Sequence, residues 1–301
     1  LAGQFGVRVG PRGELAKGVI GGVLLGVGAA TARGCNIGGF FSAVSAFGMN
    51  GLAMAVGLAV GAFVGARYLV WESERGPAVS APAAAEGGTT APAIRRRNLQ
   101  PYVGAVVFVG LVVGAVVYGL TGYTDRAIIL LFGAVLGVIS QRSRVCFVQA
   151  FREPFLTGRT EHTRAMLLGL LVSLIGFALV KTAIFEKETE FVRETFWIGS
   201  LVGGIIFGVG MVLAGGCGGG SIWRAGEGHV KLWLAVAAYV FSASLAAEAL
   251  QRTGLRERLG EAVFLPDLVG WGWAILSLVA VVVAWYLLAR WNEATRKLAV
   301  L

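Results

Sequence analysis

The chain has three cysteines, Cys35, Cys146 and Cys217, and each lies in a short stretch that ends a long apolar run. The stretches are residues 33–39 (RGCNIGG), 143–147 (SRVCF) and 215–220 (GGCGGG). Glycines precede every cysteine by thirteen and by nine residues, as the pairs Gly22 and Gly26, Gly133 and Gly137, and Gly204 and Gly208. This agreement marks an internal repeat. A neutral thiol is a weak hydrogen-bond donor and a thiolate is a nucleophile, so the repeat predicts three equivalent thiol positions.

Arginines and further glycines accompany the cysteines. Arg33 and Arg144 each lie two residues before a cysteine, and Arg224 follows the third one. A cation near membrane depth usually serves a ligand, a counter-ion or the membrane interface. We interpret the three arginines as groups that attract an anion, with anchoring at the interface as the alternative. The glycines that would let the backbone approach such an ion closely are Gly34, Gly216 and Gly218.

The composition is that of a membrane protein. Of the 301 residues, 56% are hydrophobic and only 14% are charged, which is far from the average soluble domain, and we predict an all-α, multi-span membrane protein. The net charge of +9 lies mostly between apolar runs, where membrane topology explains it, so no nucleic-acid partner is expected. Three distant cysteines with only His162 and His229 favour neither a disulfide framework nor a metal site. No cofactor is expected.

The chain divides into three parts. Residues 1–71 form a first repeat of helix, cysteine loop, half-helix and helix, and residues 101–301 contain the repeats around Cys146 and Cys217. Residues 72–100 are rich in Ala, Pro, Gly, Ser and Thr and carry three arginines at 95–97, which is typical of a flexible linker on the cytoplasmic side. The apolar runs predict about eight transmembrane helices, plus three half-helices at the cysteines.

The basic linker and the basic C-terminal tail, placed in the cytoplasm, fix the direction of every predicted span. The first cysteine loop then enters from the outer face, and the second and third enter from the inner face. Opposed re-entrant loops near the midplane are how inverted-repeat transporters build a central site. Broken helices in lipid must be buried in protein or line a polar cavity. We therefore expect an internal path, in which half-helix N-termini favour an anion.

The type of anion follows from the thiols. A single membrane cysteine is more often a small apolar filler than a working thiol, but here every cysteine has the same place beside a predicted helix break. Hydroxyls and amides bind oxyanions better than thiols do, whereas a neutral thiol suits the terminal sulfur of a sulfur-containing anion. We expect neutral thiols that act as weak successive contacts, as conduction requires.

Three motifs carry a resemblance to a known family. RGCNIGG (33–39), QRSRVCFVQAFRE (141–153) and AGGCGGGSIWRAGEG (214–228) resemble the YeeE/YedE membrane family of sulfur-compound transporters. The resemblance implies an hourglass-shaped bundle in the bacterial cytoplasmic (cell inner) membrane that takes up thiosulfate, with Cys35, Cys146 and Cys217 along the path. It also implies a small cytoplasmic sulfur-carrier protein of the TusA type as a partner.

The leading hypothesis is transport of thiosulfate or a similar sulfur anion across the cytoplasmic membrane. The sequence has no GxxxxGKS/T phosphate loop, so we expect no ATP hydrolysis by this chain and predict a transporter rather than an enzyme. Three alternatives stay open: transport of a selenium compound by the same path, a thiol or persulfide carrier, and a membrane subunit of a redox complex.

Overall fold

A computed structural model describes residues 6–75, 100–144, 146–183, 192 and 195–299. These residues are mainly helical and contain three isolated β-bridges but no strand. Eight helical segments within them are long and apolar enough to cross a membrane. The predicted all-α fold with about eight membrane-spanning helices is therefore confirmed.

Long helices alternate with short ones. The long helices are α1 Arg12–Ala32, α3 Met49–Arg75, α4 Gln100–Leu120, α5 Thr124–Ser143, α7 Glu161–Ala183, α8 Ile198–Ala214, α10 Val230–Arg252 and α12 Trp271–Thr295. The short ones are a π-helix Asn36–Phe41, α2 Ser42–Ser45, α6 Phe147–Leu156, α9 Gly218–Gly226, a 3-10 helix Leu255–Arg258 and α11 Leu265–Val269. Helix α3 continues to Arg75, past the predicted start of the linker at residue 72, and most of that predicted linker, residues 76–99, lies outside the described residues.

The repeated glycine pairs hold the first and third repeats together. Gly22 and Gly26 of α1 lie against the backbone of α10, the last helix of the third repeat. Reciprocally, a Cβ on Gly204 or Gly208 of α8 would lie 2.8 Å from a carbonyl oxygen of α3, the last helix of the first repeat. Such close backbone contact is possible only for very small residues. Each of these two repeats therefore packs its glycine pair on the final helix of the other.

The same two repeats run in opposite directions. Helices α1 and α8 are antiparallel neighbours. Gly21 of α1 lies beside Ala214 of α8, and Gly28 of α1 lies beside Gly203 of α8. Residue numbers therefore rise along α1 where they fall along α8. This antiparallel pairing brings the segment that follows α1 and the segment that follows α8 back toward each other.

Helix α12 closes one side of the bundle with aromatic contacts. The ring of Phe40, in the π-helix, packs edge-on against Phe151 of α6 at 5.5 Å, and both rings contact Trp285 of α12. These contacts fix the short segments of the first and second repeats against one common helix. Helices α4 and α5 instead pack mainly on each other and expose apolar side chains such as Val106 and Ile129, as lipid-facing helices do.

Candidate functional site

Each cysteine has the same local backbone. It is the N-cap of the short helix that follows it, and the long helix before it ends at a residue in the left-handed region. The left-handed residues and their φ angles are Arg33 (54°), Arg144 (50°) and Gly215 (75°). A left-handed C-cap stops a helix sharply, so this turn is what lets the chain reverse at the cysteine.

The left-handed turns give two of the predicted arginines a backbone role. Left-handed backbone is uncommon for residues other than glycine, and Arg33 and Arg144 adopt it where the third repeat has Gly215. Their side chains differ in surroundings. Arg33 lines a cavity of about 280 Å³ together with Arg256, whereas the side chain of Arg144 is exposed.

The short helices of the first and third repeats begin beside each other. A Cβ on Gly218 would lie 4.0 Å from Cys35 Cβ, and a Cβ on Gly219 would lie 3.0 Å from Ile37 Cδ1. From this point the two segments diverge. The first continues to Gly48, which forms a bridge with Phe264, and α9 ends next to the amino-terminal segment.

Cys146 and Cys217 meet at the first turn of α9. A Cβ on Gly220 would lie 3.1 Å from Cys217 Sγ and 3.9 Å from Cys146 Sγ. Both of these thiols are buried, Cys35 is partly exposed, and all three are free cysteines. The amide of Gly220 donates to Cys217 Sγ at 3.2 Å, so the sulfur itself caps α9. The structure thus brings the three predicted cysteine segments together around α9.

The other predicted residues lie around this cluster in different roles. Arg224 Nη1 donates to the carbonyl oxygen of Gly215 at 3.0 Å, which holds the turn before Cys217. A Cβ on Gly34 would lie 2.6 Å from the amide nitrogen of Gly39, and one on Gly216 would lie 3.1 Å from a side-chain carbon of Leu232. These two glycines therefore permit close packing of the chain, and Gly218 borders the cluster.

Three side chains near the short helices were not predicted from the sequence. Asn36 is fully buried and lies close enough to Cys217 to interact with its sulfur, yet neither of its polar side-chain atoms makes a hydrogen bond of normal geometry. Ser221 Oγ is also buried and has no hydrogen-bond partner within the part of the chain that the structure describes. The hydroxyl of Tyr239, in α10, lies 4.0 Å from the position of a Cβ on Gly218. Asn36 and Ser221 stand inside the cysteine motifs, but nothing in the sequence marks Tyr239.

Charged side chains tie the ends of three long helices together on the side where α1 begins. Glu14 of α1 binds Lys231 of α10 at 2.6 Å and Lys17 at 2.8 Å, and Lys17 also binds Glu72 of α3 at 2.7 Å. These groups are partly exposed. The network therefore connects α1 to α10, as the glycine pair of α1 also does, and in addition connects α1 to α3.

The amino-terminal strap, residues 6–10, lies across the junction between α9 and α10. The Arg8 amide donates to the Gly228 carbonyl at 2.9 Å, and the Val230 amide donates to the Arg8 carbonyl at 3.1 Å. Arg8 Nη1 is 3.4 Å from Nε2 of His229, a contact that requires a neutral ring because a guanidinium only donates.

The pKa of His229 is accordingly lower than usual. Burial lowers this pKa most, and the guanidinium groups of Arg224 and Arg8 lower it further, while Glu227 acts in the opposite direction.

The described part of the protein has eight helical segments able to span a membrane, two antiparallel repeats, and a left-handed turn that interrupts each of the three repeats. Broken helices in antiparallel repeats are a feature of many membrane transporters. A sequence model of the family described as "Sulphur transport" matches residues 1–64 and 142–300. The chain belongs to this family, which confirms the resemblance found in the motifs. The matched residues include all three cysteines, and α4 lies in the part between them.

Curated proteins of the family align with much of the chain. It is 34% identical over 224 residues to "Probable transporter YedE" of Escherichia coli K12 and 33% identical over 224 residues to the protein of that name from Salmonella typhimurium. Each alignment covers 73% of this chain and 53% of the relative. The chain therefore spans about half the length of these relatives. It is also 38% identical over 112 residues to "Thiosulfate transporter TsuA" of E. coli K12, covering 37% of this chain and 31% of that protein. No solved structure matches the chain significantly.

Proposed function

We propose that the chain transports thiosulfate or a similar sulfur-containing anion across the bacterial cytoplasmic membrane and is not an enzyme. The observation that carries this proposal is the meeting of three thiol-bearing segments, one from each repeat, at the first turn of α9. Membership of the Sulphur transport family and the thiosulfate transporter named among the relatives support the choice of substrate.

The path would run between the two opposed short segments. In this proposal the short helices are re-entrant half-helices, and the bundle narrows like an hourglass where Cys35 faces Gly218. An ion would enter beside Arg33 and Arg256, whose cavity offers two cations, and would then pass Cys35 before Cys217 and Cys146. The parts before and after residues 76–99 would enclose this path, and residues 76–99 would be the cytoplasmic linker that joins them.

The thiols would act in the neutral form. Two unit charges about 4 Å apart repel by roughly 4 kcal/mol at an effective dielectric constant of 20, so a thiolate would hinder the passage of an anion. A neutral S–H group instead offers a weak donor to a terminal sulfur. Weak contacts in succession favour conduction, because a tight site would trap the ion. The carbonyl of Gly215, tied to Arg224, would keep the turn before Cys217 in place.

The partners follow from the same proposal. The lipid bilayer surrounds the apolar helices, and a sulfur-carrier protein of the TusA type would receive the ion on the cytoplasmic side, where α9 ends. A selenium-containing analogue would use the same contacts, since selenium is the larger and more polarizable neighbour of sulfur.

A second candidate function is favoured by one specific contact. The sulfur atoms of Cys146 and Cys217 border one space beside Gly220, so a resolving thiol would be in reach of a persulfide on its neighbour. That chemistry needs a thiolate. Fast labelling of either cysteine by a charged, water-soluble thiol reagent would favour this carrier role over transport.

The experiment that tests transport uses the purified chain in liposomes with radiolabelled thiosulfate. Cys35→Ala, Cys146→Ala and Cys217→Ala should each lower the initial uptake rate by about 10-fold, the effect of roughly 1.4 kcal/mol on the rate-limiting barrier. Met49→Leu is the matched control, because this sulfur-containing side chain stands at the start of α3, where its amide binds Val263. Unchanged uptake in all three cysteine variants would refute the path.

A further inference from the structure

One fully buried polar side chain, that of Asn36, lies beside the thiols without the partners that a buried polar group needs. Asn36 has an exposed fraction of 0%, and within the described residues neither its amide nitrogen nor its amide oxygen makes a hydrogen bond of normal geometry. Buried polar groups are nearly always paired, and leaving one unpaired costs about 1–3 kcal/mol. Asn36 lies close enough to Cys217 to interact with its sulfur, but a thiol is a weak partner, so the amide group points to a stronger-binding ligand in the same place.

Tyr239 presents a hydroxyl to the same place from another helix. Its oxygen and Cys35 Cβ both lie 4.0 Å from the position of a Cβ on Gly218, so the hydroxyl, the first thiol segment and the start of α9 share one space. The hydroxyl makes no hydrogen bond to the described part of the chain. Because residue 218 is glycine, no side chain from this position stands between the hydroxyl and the Cys35 segment.

The start of α9 adds backbone donors. The first amides of a helix have no intrahelical acceptors, and the positive end of the helix dipole favours an anion. In α9 the Gly220 amide is used by Cys217 Sγ and the Ser221 amide by the Cys217 carbonyl. The amides of Gly218 and Gly219, next to Tyr239 and Ile37, have no acceptor among the described residues.

The cluster therefore has two chemically different halves. Thiols are soft, weak donors, whereas an amide, a phenol and backbone N–H groups are the donors that oxygen anions prefer. We propose, as an extension of the proposed function, that Asn36, Tyr239 and the first amides of α9 bind the oxygen end of an anion whose sulfur end contacts the cysteines. The site is then selective for anions that carry both ends, and it discriminates against sulfate, which lacks a terminal sulfur, and against hydrosulfide, which lacks oxygens.

Two variants remove the oxygen-binding groups with little change of shape. Asn36→Leu and Tyr239→Phe should each raise the half-saturating thiosulfate concentration about 10-fold or more, the loss expected for a hydrogen bond to a charged acceptor. Inhibition of uptake by hydrosulfide should stay unchanged in both variants. Hydrosulfide has no oxygen atoms, so it makes no contact that these substitutions could remove. Thermal stability should not fall in Asn36→Leu, since the substitution removes an unpaired buried amide.

Matched controls come from the same chain. Asn50→Leu removes another fully buried amide, which lies at the start of α3 next to Gly48 and has no hydrogen-bond partner among the described residues. Tyr286→Phe removes a hydroxyl from a partly buried tyrosine of α12. Both should keep the half-saturating concentration of the unsubstituted protein.

The outcomes separate this inference from the proposed function. If the unsubstituted protein takes up thiosulfate but Asn36→Leu and Tyr239→Phe behave like their controls, the oxygen-binding half is overturned and transport stands. The inference is also overturned if thiosulfate affinity and hydrosulfide inhibition weaken together, since that would mean a distorted path. If the unsubstituted protein neither takes up thiosulfate nor is stabilised by it against heat, the proposed function and the inference both fall.

Discussion

The sulfur atoms of Cys146 and Cys217 face one small space that exists because residue 220 is glycine: a Cβ there would be 3.9 Å from the first sulfur and 3.1 Å from the second. The two cysteines come from different repeats. In the proposed path the ion would pass this shared space, and a methyl group on residue 220 would occupy part of it.

Gly220→Ala should therefore block transport while leaving the helix intact. Alanine is a better helix former than glycine by about 1 kcal/mol, so α9 should not unwind, but the methyl group would press on Cys217 Sγ. We expect thiosulfate uptake in liposomes to fall about 10-fold. Gly226→Ala, on the same helix, adds a methyl group with no neighbour within 4 Å among the described residues and should transport normally. Equal uptake by the two variants would contradict the shared space.

Arg33 combines a left-handed backbone with a cation beside the cavity, and Arg33→Gly separates the two. Glycine adopts φ of 54° without steric cost, so the left-handed turn itself should be kept. Loss of the cation should raise the half-saturating thiosulfate concentration several-fold at low ionic strength, and added salt should reduce the difference. Arg33→Lys keeps the charge and should retain most of the affinity. If Arg33→Gly has the half-saturating concentration of the unsubstituted protein, Arg33 does not attract the anion and acts only in the backbone turn.

Gly215→Ala tests the backbone part of the same turn in the third repeat. A side chain at φ of 75° costs about 1–2 kcal/mol, and the carbonyl that Arg224 binds would move with it. We expect a lower melting temperature than that of Gly226→Ala, measured by thermal unfolding in detergent. The opposite order would show that this turn is not held in the left-handed region.

Lys181, in the last turn of α7, is a buried cation that contacts the end of the first short segment. Its exposed fraction is 1%, its Nζ donates to the Ala46 carbonyl at 2.9 Å, and it lies 4.5 Å from the ring centre of Phe264. Lys181→Met should destabilise the protein by about 1–3 kcal/mol, because the buried carbonyl loses its donor. Thermal unfolding measures this loss. Lys231→Met removes a partly exposed lysine from the charged network and should lower the free energy of unfolding by about 1 kcal/mol or less. A larger loss in Lys231→Met than in Lys181→Met would contradict the role given to the buried Lys181.

The sequence predicted the position of each helix break better than its cause. The spacing of glycines and cysteines located all three breaks, because each cysteine begins a short helix. The arginines before Cys35 and Cys146 were interpreted from their charge, whereas their left-handed backbone follows from the sharp reversal of the chain, which no local pattern encodes. Charge is visible in a sequence, but the φ angle of a non-glycine residue is not.

Contacts between distant helices were the least predictable feature. Gly133 and Gly137 have the spacing of the other pairs, yet the described residues place nothing within 4 Å of their Cβ positions. Spacing specifies a smooth helix surface and cannot say whether a helix packs on it. Tyr239 reaches the thiols only because Gly26 lets α10 pack closely on α1. A residue brought in by tertiary packing leaves no motif beside the cysteines.

The strap at residues 6–10 should dock in a pH-dependent way through His229. Its ring accepts from Arg8 only when neutral, and its lowered pKa means that the docked state resists protonation. The undocked state takes up the proton first as the pH falls. Docking should therefore be complete above about pH 6.5, the ordinary histidine value, and weaken below it. Hydrogen exchange at the Arg8 amide, which donates to Gly228, should accelerate relative to its intrinsic rate as the pH is lowered. In His229→Gln this acceleration should vanish, and its persistence there would assign the pH dependence to another group.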